Sequence, residues 1–333
     1  MKKTLISLAV LAASTGAFAQ SSVTLYGTAD AAIGKERGGK VGMKTNSGLN
    51  TSESYLGFRG TEDLGGGLKA GFQFEQGIDL RNGGTDADAD ANQGLKTMYQ
   101  RAANLWLGGN WGTFRMGRAY TPSRNALAAW DLTGGARNSI SMMTFGVVGH
   151  NTDERNRSQF SYKTPDFGGF AAELGYVFKP DNGDRAKVDL GLTYINGPLR
   201  AGVSYNKTKN AKANYALGAQ YQFGMFAVAA GYHYANNGTF LGQDGVAVPG
   251  SSARNRGISL GGKANFGAAS VLVDVARETK ANYDINGVTY KGRKDTNVLV
   301  EGRYAFSKRT FAYANYVRFA RGNNYGLGMR HDF

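Results

Sequence analysis

The chain has 333 residues, no cysteine, and 39 basic against 25 acidic side chains. Disulfides therefore play no part in its stability, and beyond the first twenty residues no apolar run approaches the roughly 18 residues of a membrane-spanning helix. The basic excess is dispersed, with no run of five or six Lys/Arg. That argues against a nucleic-acid groove and for a basic interior surface.

Lys2 and Lys3, the apolar stretch from Leu5 to Ala13, and Ala17-Phe18-Ala19 form the positive, hydrophobic and small-x-small parts of a secretory signal peptide (1–19). Cleavage after Ala19 starts the mature chain at Gln20, with 37 basic and 25 acidic residues and a net charge of +12. A soluble chain of this length should contain amphipathic helices, and almost none are legible. Period-2 segments recur instead. Sixteen strands are predicted, near 22–34, 50–61, 67–78, 98–109, 112–118, 155–164, 169–179, 186–195, 198–208, 213–223, 225–236, 255–266, 268–280, 294–306, 309–319 and 324–333.

In the third, Leu68, Ala70, Phe72 and Phe74 alternate with Lys69, Gly71, Gln73 and Glu75. In the tenth, Tyr215, Leu217, Ala219, Tyr221 and Phe223 alternate with Asn214, Gly218, Gln220 and Gln222. In the fifteenth, Phe311, Tyr313 and Val317 are expected toward lipid and Tyr316 and Arg318 toward the interior. Tight connections such as Asn196-Gly197 alternate with long polar ones at 35–50, 79–97, 119–154, 237–255 and 281–294. That is the pattern of short periplasmic turns and long external loops in an outer-membrane barrel. Aromatic residues near strand ends suit its interfacial girdles. The fold expected over 20–333 is one closed, sixteen-stranded antiparallel barrel, wide enough to hold water.

Catalytic chemistry is poorly provided for. Three histidines (His150, His233, His331) and no cysteine leave little for nucleophilic or transition-metal catalysis, so no enzyme and no cofactor are expected. Asp86, Asp88 and Asp90 resemble the opening of a calcium loop, but Ala91 replaces its glycine and Thr97 its closing glutamate. A solvated acidic loop is the preferred reading, with divalent-cation binding the weaker one.

Five segments together resemble the trimeric general porins of Gram-negative bacteria, in particular the β-proteobacterial branch. They are Ser22-Val23-Thr24-Leu25-Tyr26-Gly27, Leu56-Gly57-Phe58-Arg59-Gly60-Thr61-Glu62-Asp63-Leu64-Gly65 and Gly112-Thr113-Phe114-Arg115-Met116-Gly117-Arg118, followed by Tyr162-Lys163-Thr164-Pro165-Asp166-Phe167-Gly168-Gly169-Phe170 and Leu327-Gly328-Met329-Arg330-His331-Asp332-Phe333. The resemblance covers the whole mature chain. It implies a homotrimer in contact with outer-membrane lipid and lipopolysaccharide, passing small anionic or neutral solutes. It also implies a third loop (119–154) folded into the lumen, with a short helix available at 126–130, and a terminal Phe333 that looks like the family's assembly signal.

Carried over from the family, the constriction would hold Arg118 at the start of the third loop, Arg101 at the start of the fourth strand, Glu75 late in the third, and Asp131 as the central acid of the loop. The arginine usual before Leu-Gly-Phe is replaced by Tyr55. On the register read from the sequence, Arg115 and Arg157 also point inward, and inward cations outnumber inward acids. A mild anion preference is therefore expected. Rival readings are a solute-specific channel, which would stack aromatics along the lumen, and a surface-binding or adhesive barrel, which would need larger apolar loops.

Overall fold

The computed structural model describes residues 22–85, 98–146, 154–238 and 251–333. The expected leader and the Asp86, Asp88 and Asp90 loop lie outside the described residues. In chain order the strands are β1 (Ser22–Lys35), β2 (Gly42–Lys44), β3 (Tyr55–Gly65), β4 (Leu68–Gly77), β5 (Ala102–Gly109), β6 (Gly112–Tyr120), β7 (Arg155–Lys163), β8 (Phe170–Val177) and β9 (Lys187–Asn196). They continue as β10 (Leu199–Thr208), β11 (Asn214–Phe223), β12 (Phe226–Gly238), β13 (Ser251–Phe266), β14 (Ala269–Ile285), β15 (Val288–Lys291), β16 (Thr296–Ala305), β17 (Thr310–Phe319) and β18 (Gly322–Asp332). Among the described residues two α-helices, α1 (Pro122–Trp130) and α2 (Ile140–Phe145), both belong to the third external loop.

β2 and β15 are short arms folded back on β1 and β14, so sixteen strands form the wall. All pairings are antiparallel. The sheet closes because β1 pairs with β3 through Ser22–Thr28 and with β18 through Thr28–Lys35. Gly27 and Phe333 finish the seam with a reciprocal pair of backbone hydrogen bonds of 3.1 and 3.0 Å. Closure matters because a hydrocarbon environment offers no partner to an unpaired edge amide.

The expected strand boundaries agree with the observed ones to within a few residues, with two instructive exceptions. Residues 50–54 are not strand. They are pulled inside by Asp30, a fully buried carboxylate that accepts from Asn50 Nδ2 (2.9 Å), Thr51 Oγ1 (2.6 Å), the Ser52 amide (2.9 Å) and the Tyr313 hydroxyl (2.5 Å). A buried charge requires such a donor set. The second exception is β14, which runs on to Ile285 and pairs with β15 where a loop was expected.

The outer wall follows the alternation rule, with Leu105, Leu192, Val203, Leu217, Ile258 and Leu260 exposed on it. The inner wall departs from it over β11–β17. There Ala216, Ala227, Ala229, Leu272, Ala276, Leu299 and Val317 point inward and make one apolar cluster with Leu127, Trp130, Leu132, Ile140 and Phe145 of the third loop. An apolar residue on such a strand can therefore face either way. This corrects the expected parity of β17: Tyr313 (1% exposed) and Val317 face the interior, while Tyr316 and Arg318 are outside. Asn104 of β5 is likewise buried inside.

The third loop is held on that wall by shape. Thr121 caps α1 by accepting from the Arg124 amide at 3.1 Å, and Pro122 occupies the first turn, where its missing N–H costs nothing. The other side of the helix meets a line of residues without side chains. Gly202, Gly218 and Gly231 are direct register partners on β10, β11 and β12. A Cβ built on Gly202 would lie 2.2 Å from the Ala126 carbonyl oxygen, and on Gly218 or Gly231 2.4 and 2.2 Å from the Trp130 ring. Only glycine leaves room for the indole there.

Candidate functional site: the loop-narrowed constriction

Folding the third loop inward leaves a polar cavity of about 330 Å³ between the loop and the wall of β3, β6, β16 and β18. Five arginines line it (Arg101, Arg124, Arg137, Arg303 and Arg330) against two glutamates (Glu53 and Glu154). The lining side chains are thus richer in arginine than in acid, although Arg303 and Arg330 each have a further carboxylate beside them.

Glu53 is the hub on one side. Its carboxylate pairs with the guanidinium of Arg101, with Arg137 Nη1 at 3.2 Å and with Arg155 Nη2 at 3.7 Å. Arg101 also lies 3.4 Å from Glu75 and stands 4.2 Å over the Tyr55 ring. The tyrosine that replaces the family's wall arginine is thus the platform that holds another arginine by its π face. Glu75 is fixed in turn by the Tyr26 hydroxyl (2.8 Å) and by Gln73 Nε2 (2.9 Å). Tyr120 sits between two cations, Arg124 at 4.0 Å and Arg155 at 4.2 Å from its ring centre, and its hydroxyl accepts from Arg155 Nη2 at 2.7 Å. Arg303 and Arg330 project from the wall strands, both near the Phe311 ring, each beside one carboxylate (Glu301 and Asp332).

The structure brings Arg101, Glu75 and Tyr55 together at this point. Arg115 is also inside the barrel, with Nη1 3.5 Å from Gln73 Oε1, but does not line the cavity. Three other expected members lie elsewhere. Arg118 is the register partner of Ala103, itself opposite Phe74 on the outward parity, and its Nε donates to the Gln100 carbonyl. At Arg157 a bulge with Ser158 at φ 44° interrupts the alternation. Asn156 takes the interior place instead, donating to Gln159 and accepting from Lys187.

Asp131 is only 4% exposed and does not face the channel. Its carboxylate accepts from the amides of Thr133 (3.1 Å) and Gly135 (2.9 Å) and from the hydroxyls of Thr133, Ser139 (2.9 Å) and Ser141 (3.1 Å). It organises the turn between α1 and α2. Conversely, Arg124 and Arg137 were not singled out from the sequence, because a loop without period carries no sign of which side chains turn inward.

A family model of Gram-negative porins matches residues 7–324. The chain belongs to this porin family. It is 34% identical to outer membrane porin protein 32 of Delftia acidovorans, over 99% of this chain and 93% of that protein. With an outer membrane porin protein of Bordetella pertussis it shares 29% identity over the full length of both. Among solved structures, an anion-selective porin from Comamonas acidovorans superposes with a TM-score of 0.71 at 27% identity, covering 94% of this chain and all of that one. OmpT of Vibrio cholerae in a trimer form shares the fold, with a TM-score of 0.68 at 15% identity. This porin is accordingly a multi-pass outer-membrane channel.

Proposed function

We propose that this porin is a general diffusion pore with a mild preference for anions. It needs no cofactor or energy source, and works as a homotrimer embedded in outer-membrane lipid and lipopolysaccharide after loss of residues 1–19. The observation that carries the selectivity is the excess of arginine around the constriction. In a narrow lumen those charges act over a Debye length of about 8 Å at physiological salt, so the nearest ones dominate the potential that a solute meets. Small anions and neutral solutes pass most readily. The lumen aromatics are engaged by arginines and carboxylates rather than stacked into a track, which favours a general pore over a solute-specific one.

Trimer formation is supported by the outer wall of β1 and β3–β6. It presents small residues (Gly60, Ala70) beside Val23, Phe72, Leu105 and Met116 around a concavity of about 460 Å³, a surface suited to another subunit. A channel rather than an enzyme accords with relatives that are named as porins.

The test is the reversal potential of the purified protein in a planar bilayer under a steep KCl gradient. Wild type is compared with the double variant Arg303→Gln/Arg330→Gln. An anion-favouring potential that shrinks in the variant supports the reading. A cation-favouring wild type at low salt would overturn it.

A further inference from the structure

Away from the constriction, one lumen-facing pair of opposite charges has no part in the arginine cluster. Lys163, the last residue of β7, and Glu173 on β8 are direct register partners. Both point inward. Asn125 of the third loop donates to Glu173 Oε2 at 2.9 Å, and Lys163 shares the parity of the buried Gln159 and Ser161. Opposite charges facing each other across antiparallel strands ordinarily meet, with Cβ atoms about 4.5–5.5 Å apart. These two do not. Among the described residues the Lys163 ammonium has no ion-pair or hydrogen-bond partner. The Glu173 carboxylate is drawn toward α1 by Asn125, and its Oε1 accepts from no described donor.

Between these strands and α1 lies a cavity of about 280 Å³ whose lining includes both charges. Alanine keeps its walls short, with Ala126 and Ala129 on the helix and Ala171 on β8. Thr193 on β9 adds a hydroxyl, which donates to the Ala171 carbonyl at 3.4 Å and leaves its oxygen free to accept. The pocket lies on the periplasmic side of α1, since β7 ends at Lys163 and the chain turns back into β8 at Phe170. Lys163 is exposed and Glu173 half-buried, so the pocket opens to the lumen. Other inward charges nearby are engaged or stand apart. Asp189 is buried and accepts from the Ser123 amide and hydroxyl, Arg115 leans on Gln73, and Arg200, opposite Ile195, does not line the pocket.

An ammonium and a carboxylate that share a cavity without touching have to be answered together. A simple anion drawn to Lys163 is repelled by Glu173, and a simple cation meets the reverse. A solute that carries both signs a few ångströms apart satisfies both with charge-assisted hydrogen bonds.

We propose that this pocket is a subsite for zwitterions of the α-amino acid class. The solute carboxylate lies on the Lys163 ammonium, its own ammonium on Glu173, and a small side chain against the alanines of α1. The proposal rests on the diffusion-pore reading and names a class of neutral solute that the pore holds briefly during passage. The volume is at the small end of ligand pockets and suits a single amino acid rather than a peptide. Asn125 links the subsite to the third loop, because the amide that helps to dock α1 also keeps the two charges apart.

The experiment titrates the full porin in detergent with L-alanine, read by saturation-transfer NMR, beside propionate and ethylamine, which each lack one of alanine's two charges. Conductance in a planar bilayer is the control for folding. Alanine should bind more tightly than either analogue. Lys163→Gln and Glu173→Gln should each weaken alanine about two- to fivefold, the worth of one partly exposed charge contact, and glutamine at 173 can still accept from Asn125. The reversed pair Lys163→Glu/Glu173→Lys should bind alanine better than either single variant, because a zwitterion can turn round. Propionate binding as tightly as alanine would mean a plain anion site and overturns the proposal. So does wild-type alanine affinity in both single variants, or a conducting reversed pair that binds no better than they do. A wild type that binds alanine but carries no ion current would instead remove the porin reading and leave the subsite standing.

Discussion

Trp130 is the side chain on which the position of the third loop most depends. It is 2% exposed, its indole lies over Gly218 and Gly231, and it belongs to the cluster with Leu127, Ile140 and Phe145. Trp130→Ala removes that contact and leaves a cavity, at a cost of about 3–5 kcal/mol for a buried aromatic. The cost falls on loop docking, because the sixteen-stranded wall closes without the loop. Converted to an equilibrium, it favours undocked conformations by roughly a hundred- to several-thousand-fold. The loop is not released altogether, since Ser123 still donates to Asp189 (2.7 Å from the amide, 2.6 Å from the hydroxyl) and Asn125 to Glu173 (2.9 Å). The expected single-channel record is therefore a larger mean conductance with added open-channel noise and weaker ion selectivity. Gly218→Val should act similarly, because its Cβ would fall 2.4–2.6 Å from three atoms of the indole. In the double variant the valine occupies space the indole has left, so the two effects should be far from additive. Wild-type conductance and noise in Trp130→Ala, or simple additivity in the double variant, would refute the seat as the loop's anchor.

Glu53→Gln leaves Arg101, Arg137 and Arg155 without their shared carboxylate, so the reversal potential should move further toward anions; no movement would mean that Glu53 is not felt by passing ions. That increment should shrink between about 0.1 M and 1 M KCl as the screening length falls from about 10 to 3 Å, and a salt-independent increment would point to a steric cause. Asp131→Ala strands the amides of Thr133 and Gly135, at about 1–3 kcal/mol for each unsatisfied buried group; limited proteolysis should then cut 131–139 faster while the barrel stays heat-modifiable, and an unchanged rate would remove Asp131 as the organiser. Asp30→Ala frees four donors at the β1–β18 seam. It should lower the temperature at which the barrel unfolds on a denaturing gel, and an unaltered temperature would show that the first loop is held by other contacts.

The wall was legible from the sequence because strand alternation is local. Each side chain's face follows from its neighbours two residues away, and tight turns such as Asn196-Gly197 separate one segment from the next. Legibility failed where the rule of polar inside and apolar outside lost its meaning. On β17 the apolar Val317 points inward because the third loop turns part of the lumen into a hydrophobic interior, and the parity expected for Tyr313, Tyr316 and Arg318 reversed with it. At Arg157 a bulge interrupts the alternation, which no periodic pattern marks.

The constriction belongs to the tertiary structure in a stronger sense. Glu53 and Arg137 are 84 positions apart, and they meet because the third loop crosses the lumen to the wall that carries Glu53. Composition already implied an electropositive barrel. Which arginines face the solute, and that Asp131 braces the loop instead of opposing them, follow from how a helix settles onto a row of glycines drawn from three different strands. Shape fit across strands distant in sequence is a property of the closed barrel, and no single stretch of the chain carries it.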